Sequence, residues 1–266
     1  MPTFADGALC LDFAGDRATL TLDRPARRNA LNQAMWLALA EVAAAVDAES
    51  GVKVLIVRGS GGHFAAGADI AEFEAVFATR EGIGRYAAAV HDGLAALSTM
   101  AKPSIAAIEG FCIGGGMAMA LACDIRLAAD DAQLGITPAK LGITYNMFDT
   151  RLLVDAVGAS AARDLLFTGR IAPAAEALVL GLVDRLFAPA ELADAVNAKA
   201  GVLCANSQWS IRQAKRMIRR ALDGQAFDDA TTRAISIESF SGPDFAEGRA
   251  AFLEKRPPAF GWDGDL

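Results

Sequence analysis

The chain has 266 residues, 53 % of them hydrophobic, enough to bury a sizeable core in one large domain or in a domain with a helical appendage. Its 25 basic against 32 acidic residues leave a net charge of −7, which argues against a nucleic-acid-binding surface, so any anionic ligand must be met by a few placed arginines and backbone amides. Four cysteines without a CxxC pair and two histidines supply neither a disulfide framework nor a metal-ligand set, so no metal is expected and a reducing, cytoplasmic setting is.

The N-terminal MPTFADGALC has neither the basic segment nor the apolar run of a signal peptide. Two alternating runs, ALCLDF from residue 8 and RATLTLD from residue 17, flank AGD as the strands of a β-hairpin. After the turn RPARRN, the apolar residues Met35, Trp36, Leu39, Val42, Ala43 and Val46 recur at helical spacing, and VKVLIVRG follows as a buried strand. This strand, helix, strand unit predicts parallel pairing. SGGHFAAGADIAEFE is a glycine-rich loop feeding a helix. A helix over residues 85–100 ends before Lys102-Pro103, and SIAAIEG is another buried strand leading into GFCIGGGMAMALAC. The most apolar stretch, residues 110–123, is shorter than the ~20 residues that span a bilayer, so no membrane anchor is expected. CDIRLAA and AQLG read as short strands. From Thr150 the pattern is helical, broken by strand-like LVDRLF, with final helices over residues 207–223, 225–240 and 244–255. The organisation is a β/α core over residues 1–200 and a helical region over 201–266, without repeats or a low-complexity linker.

The glycines of IGGGM follow a strand and open a helix, where free amides and the positive end of the helix dipole attract anionic oxygen. A lone triplet serves close helix-sheet packing equally well. HFAAGAD adds a second glycine-containing loop, with Asp69 suited to capping the turn that follows. Amide donors arriving from two separate loops are what an oxyanion hole needs when a carbonyl becomes an enolate or a tetrahedral oxyanion.

The runs LDRPARRNALN, FAAGADIAEF, KPSIAAIEGFCIGGGMAMALACDIRLAADDAQLG, LLFTGRIAPAAEALVLGLVDRLF and GRAAFLEKRPPAF together resemble the successive signatures of the enoyl-CoA hydratase/isomerase (crotonase) superfamily, in order over almost the whole chain. The resemblance implies an α/β fold, a crotonase-like ββα spiral core with a C-terminal helical trimerisation region. It implies assembly into a homo-trimer or hexamer and an acyl-CoA thioester as ligand, with no cofactor beyond the coenzyme A of the substrate. It places the two oxyanion-binding amides on Ala68 and Gly115. It further implies that Ala66, Ala68, Asp69, Ile70 and Gly115 line the CoA-thioester site, and that Arg24, Arg28 and Lys255 meet phosphate or adenine, the last from a neighbouring subunit.

Hydratases of the family carry one glutamate shortly after the glycine triplet and another in a pattern like FGQPE; this chain has Ala118 and Pro138 at those places. Neither can hold a proton. The following stretch, LGITPAKLGITYNMFDTRLL, resembles the methylmalonyl-CoA decarboxylase branch, which implies that Tyr145 contacts a substrate carboxylate, although that branch has a histidine where Ala68 stands and a glutamate where Ala118 stands. The resemblance leads first to decarboxylation or a related C–C cleavage of a malonyl-type CoA thioester. A hydratase or isomerase using Asp149 or a water is the alternative, and a catalytically silent acyl-CoA-binding member is the third. The bland readings stand beside these: Tyr145 as a half-buried aromatic with its hydroxyl in solvent, and Asp149 and Arg151 as a surface ion pair or helix cap. His91 reads as structural, His63 as edging the pocket, Glu72 and Glu74 as a solvated face, and the basic helix over residues 207–221 as another.

Overall fold

In the computed structural model, which describes residues 2–262 and 264, the chain opens on β1 (Thr3–Phe4), β2 (Leu9–Ala14) and β3 (Arg17–Leu22), paired antiparallel. Then follow β4 (Val54–Gly59), β5 (Ser104–Ile108), β6 (Phe111–Ile113), β7 (Ile125–Ala129), β8 (Gln133–Gly135), β9 (Ile171–Pro173) and β10 (Arg185–Phe187). The helices are α1 (Gln33–Ala48), α2 (Phe73–Val76), α3 (Arg80–Thr99), α4 (Gly115–Ala122), α5 (Met147–Thr168), α6 (Ala174–Leu180), α7 (Pro189–Ala205), α8 (Gln208–Leu222), α9 (Ala230–Ser239) and α10 (Pro243–Glu254). A seven-stranded sheet runs β1-β2-β3-β4-β5-β7-β10, parallel from β3 onward, and a three-stranded sheet runs β6-β8-β9. The α1 and α3 crossovers are what parallel neighbours require.

The continuous apolar runs of the central strands are explained by cover on both faces. Leu55, Val57, Ala106 and Ile108 point into the larger core with Trp36, Leu39, Leu94 and Leu97. The alternate residues Val54, Ile56, Ile105 and Leu127 point to the other face, where α7 packs Leu192, Val196, Ala200 and Cys204, one per turn. The boundary expected at residue 200 is therefore corrected, because it cuts a helix whose Ala200 and Cys204 close the sheet; the break lies after Ala205, where the Ser207 hydroxyl caps α8. Three helix starts also move. Thr79 caps α3, so that helix begins at Arg80. Asn146 caps α5, and Asp229 and Thr232 form a capping box for α9.

Three of the basic residues of α8 are turned inward, contrary to the solvated face expected, while Arg216 stays exposed. Lys215 pairs with Asp124 at 2.8 Å, Arg219 Nη2 donates to Ser98 O and Oγ at 2.8 and 2.6 Å, and Arg212 is buried with its guanidinium 4.9 Å from the Trp262 ring centroid. Residues 212, 215 and 219 recur at i, i+3 and i+7, so one face carries all three onto the core. No described helix is long and apolar enough to cross a membrane.

Candidate active site

The first glycine loop is held by the turn before α1. Asn29, buried and in the left-handed region at φ 57°, donates through its side-chain amide to Ser60 O at 2.9 Å and His63 O at 2.7 Å and accepts from Arg24 N at 2.9 Å. Ala66 N donates to Arg28 O at 2.9 Å. Leu31 N then donates to Gly67 O and Asp69 N to Leu31 O, both at 2.8 Å. This ladder steps over Ala68, whose N–H meets no partner among the described residues. Gly67 makes the step at φ +109°, where a side chain is strained.

The second loop is the start of α4. Gly115 is its first residue, so its N–H has no intrahelical acceptor. A Cβ on Gly115 would sit 3.6 Å from Ala68 N and 2.9 Å from Trp36 Cζ2, so only glycine lets the two loops meet over the indole. The small sheet fixes this helix start, with Gly114 N donating to Gly135 O at 2.8 Å and Ile113 N to Ala65 O at 2.9 Å. His63 ties the loops together as well: Phe111 N donates to its Nδ1 at 3.2 Å and its ring stacks on Phe111 at 5.0 Å.

The expected CoA contacts divide. Arg24 is committed within the chain, with Nη2 2.7 Å from Asp69 Oδ2 and Nη1 donating to Ala30 O at 2.6 Å. Asp69 also accepts from Ala71 N at 3.2 Å, capping the turn Ile70–Glu72. Burial pushes the Asp69 carboxyl up, but the Arg24 hydrogen bond and charge and the Ala71 amide outweigh it and hold the carboxyl below its usual range. Arg28 is exposed, its guanidinium 5.1 Å from the Phe111 ring centroid. Ala66 is half-buried on the loop, and Ile70 lies exposed at its outer edge. Lys255 is exposed at the end of α10, in the helical region rather than on these loops. Glu74 is exposed as expected, but Glu72 turns inward and accepts from Gln33 N at 2.7 Å at the start of α1, its carboxyl raised chiefly by burial.

The side chains that ought to carry protons are arranged differently. Ala118 is buried in α4, and Pro138 is the buried first residue of the turn Pro138–Leu141. Tyr145 does not present its hydroxyl to solvent; it donates to Gly114 O at 2.6 Å, one residue from the Gly115 amide. Burial, then the nearby Asp149, push its phenol well above the usual range.

Asp149 is 5 % exposed, and its Oδ1 has no hydrogen-bond partner. Burial pushes its carboxyl up to about 6, against a hydrogen bond from Asn146 and the pull of His91. This overturns the expected ion pair with Arg151. Residues two apart leave a helix on different faces, and Arg151 instead reaches Asp155 at 3.3 Å and Asp223. His91 is half-exposed, its ring edge-on to Phe148 at 5.4 Å, so it borders this site rather than filling the core.

Trp36 and Tyr86 are the members that sequence patterns miss. Both carry helical core periodicity, yet Trp36 lies under Gly115, and Tyr86 meets Phe73 and Phe77 edge-on at 5.8 and 5.3 Å.

Residues 15–263 match the family model described as enoyl-CoA hydratase/isomerase. The crotonyl-CoA hydratase of Syntrophomonas wolfei subsp. wolfei is 36 % identical over 252 residues, covering 91 % of this chain and 94 % of that protein. The short-chain-enoyl-CoA hydratase of Clostridium acetobutylicum is 34 % identical over 251 residues, covering 92 % and 94 %. A solved structure from Hyphomonas neptunium, assigned to the enoyl-CoA hydratase/isomerase family, superposes with a TM-score of 0.93 at 43 % identity, covering 96 % of this chain and 98 % of that one.

Proposed function

The chain belongs to the enoyl-CoA hydratase/isomerase family, and on that premise we propose that it carries out proton-transfer chemistry on an enoyl-CoA thioester with Asp149 as its acid/base. The thioester oxygen accepts from the N–H groups of Ala68 and Gly115. As the acyl group gains an electron pair, charge collects on that oxygen, and fixed donors are worth more to the enolate than to the ground state.

The observation that carries the assignment is the buried Asp149 carboxyl with an unpartnered Oδ1, beside Tyr145, whose hydroxyl holds the carbonyl preceding the Gly115 amide. An acid lifted to about 6 is ionised yet basic near neutral pH, where general bases are most effective. With Ala118 and Pro138 in place of two carboxyls, Asp149 serves both halves of the reaction. In hydration it takes the proton of the water adding at Cβ and returns it to Cα. In isomerisation it moves one proton between Cα and Cγ.

Decarboxylation, the reaction the Tyr145 loop first pointed to, is the lesser reading. The Tyr145 hydroxyl is engaged by Gly114 O, and an ionised Asp149 beside it repels a substrate carboxylate. For the coenzyme A moiety, Arg28 is an exposed cation of the turn before α1, while Arg24 positions Asp69. Phe167, Val179, Phe227 and Phe252 are each more than 70 % exposed, which supports burial between copies in a trimer or hexamer, read out by light scattering.

The test incubates the protein with trans-2- and trans-3-enoyl-CoA thioesters in deuterated water and identifies products by mass spectrometry. Hydration or a double-bond shift is expected, lost at least about a hundredfold in Asp149→Asn. Unchanged turnover in that variant removes Asp149 from the chemistry. Carbon dioxide released from malonyl-type thioesters faster than any enoyl turnover reinstates decarboxylation, and binding without turnover points to a silent member.

A further inference from the structure

The segments that carry Ala68 and Gly115 run side by side before they reach those amides. Ala65 N donates to Phe111 O and Ile113 N to Ala65 O, both at 2.9 Å, the bonds of a short parallel ladder centred on Ala65 and Cys112. Beyond it, Ala68 N lies 3.6 Å from where a Cβ on Gly115 would stand, so the ladder governs how far apart the two donors are held. The rung before it is made differently. Regular parallel pairing calls for Phe111 N to donate to His63 O, but that carbonyl is engaged by Asn29 Nδ2 at 2.7 Å. The His63 ring takes the amide instead, with Nδ1 3.2 Å from Phe111 N.

Two further features are built around that contact. Gly110 lies in the left-handed region at φ +51°, and a Cβ there would stand 2.3 Å from His63 Nδ1, so only glycine leaves room for the ring. The ring also stacks on Phe111, with centroids 5.0 Å apart, which fixes its plane. A backbone N–H can only donate, so Nδ1 carries no hydrogen and the imidazole is neutral, with its hydrogen on Nε2. An amide deprived of its acceptor is costly, and a strand that can shift to find another will carry its neighbours with it.

Resting on the oxyanion reading above, we propose that His63 is a positioning residue whose Nδ1 stands in for a backbone acceptor in this ladder and so holds the Ala68 and Gly115 amides at the spacing an enolate oxygen requires. It acts through the backbone, at the point where the two segments come together. A packing role needs only the ring, whereas this role needs the lone pair at one atom. Small misplacements of a donor are expensive in rate, because fixed geometry is what makes such donors effective.

The experiment titrates the full chain, at one fixed pH, with acetoacetyl-CoA, whose enolate absorbs in the near ultraviolet where the ketone does not, and follows that band. His63→Asn keeps an acceptor, Oδ1, as many bonds from Cα as Nδ1, and loses the ring; His63→Phe keeps the ring and loses the acceptor. His63→Asn is expected to bind the enolate within about threefold of the parent, and His63→Phe about tenfold or more weakly. With an enoyl-CoA substrate the same loss falls on kcat, with KM within about twofold. His63→Gln, whose acceptor stands one bond farther out, behaves as His63→Phe and takes its place if that variant does not fold. Equal enolate binding by the parent and His63→Phe, or equal losses in His63→Asn and His63→Phe, overturns the proposal. Because the titration involves no turnover, a failed acid/base role for Asp149 leaves it intact, whereas a parent that shows no enolate band overturns the oxyanion reading and the His63 role together.

Discussion

The two glycine loops and the segment from Tyr145 to Asp149 border the same place and are built by opposite means. In the glycine loops the proposed function rests on backbone: ladder bonds leave out the Ala68 amide, a helix start leaves the Gly115 amide, and the side chains around them hold position. In the second segment the chain passes from Tyr145 through the extended N-cap Asn146 into the first turn of α5, and the proposed function rests on one carboxyl that packing has enclosed with its Oδ1 unpartnered. In the proposed reaction the first arrangement stabilises charge on the thioester carbonyl, and the second moves the proton. A family member can thus keep the former unchanged while the latter is rebuilt with a different residue on a different element.

Four measurements can break or sharpen that contrast, taken from the largest effect down. Asp149→Asn removes the proton carrier and leaves the loops intact, so kcat/KM is expected to fall about 10²- to 10⁴-fold with substrate-analogue affinity retained. Parallel loss of affinity would mean that Asp149 holds the site together instead. Gly115→Ala attacks the other half, driving a methyl toward Trp36 Cζ2 at 2.9 Å and displacing the amide; steady-state kinetics should show about a 10²- to 10³-fold loss, with no change in the pH profile.

The third concerns pH and stability. The folded carboxyl of Asp149, near 6, lies above its ordinary value of 3.8, so the folded state binds its proton more tightly than the unfolded chain does. The associated stability is complete below about pH 4 and is lost as pH rises through about 6, amounting to about 3 kcal/mol at 1.36 kcal/mol per unit. Urea unfolding of Asp149→Asn should lack this slope and exceed the parent in stability at pH 8. An identical slope in both proteins would assign the titration to another group. Last, Tyr145→Phe deletes one hydrogen bond to Gly114 O, about 1 kcal/mol, and should lower kcat about fivefold to tenfold without moving the pH profile. Full activity in that variant removes Tyr145 from the site.

Much of the architecture was legible from pattern. The alternating runs near residues 8 and 17 pair as β2 and β3, and the helical spacing of Met35, Trp36, Leu39 and Val46 marks the buried face of α1. Both patterns follow from periods that the backbone imposes. The end of the core was not legible, since α7 differs from the helices after it only in what it packs against. The basic residues of α8 read as a solvated face because charge alone does not say where a partner such as Asp124 or Ser98 stands.

The candidate site divides along the same line. The sequence by itself determined that two glycine loops would offer amides and that the positions of the family's glutamates, Ala118 and Pro138, hold no proton, because these are properties of single residue types at single places. Asp149 was a candidate in the sequence, but only the tertiary structure decided that it is buried without a partner at Oδ1. Asp149 stands two residues from an arginine and reads as a surface ion pair. It becomes a buried acid because α5 turns it inward beside Tyr145 while Arg151 faces Asp155 and Asp223. Trp36 reads as core because periodicity reports which face is buried and not that the indole lies under Gly115. Burial and partnership are set by elements distant in the chain, and a local pattern does not carry them.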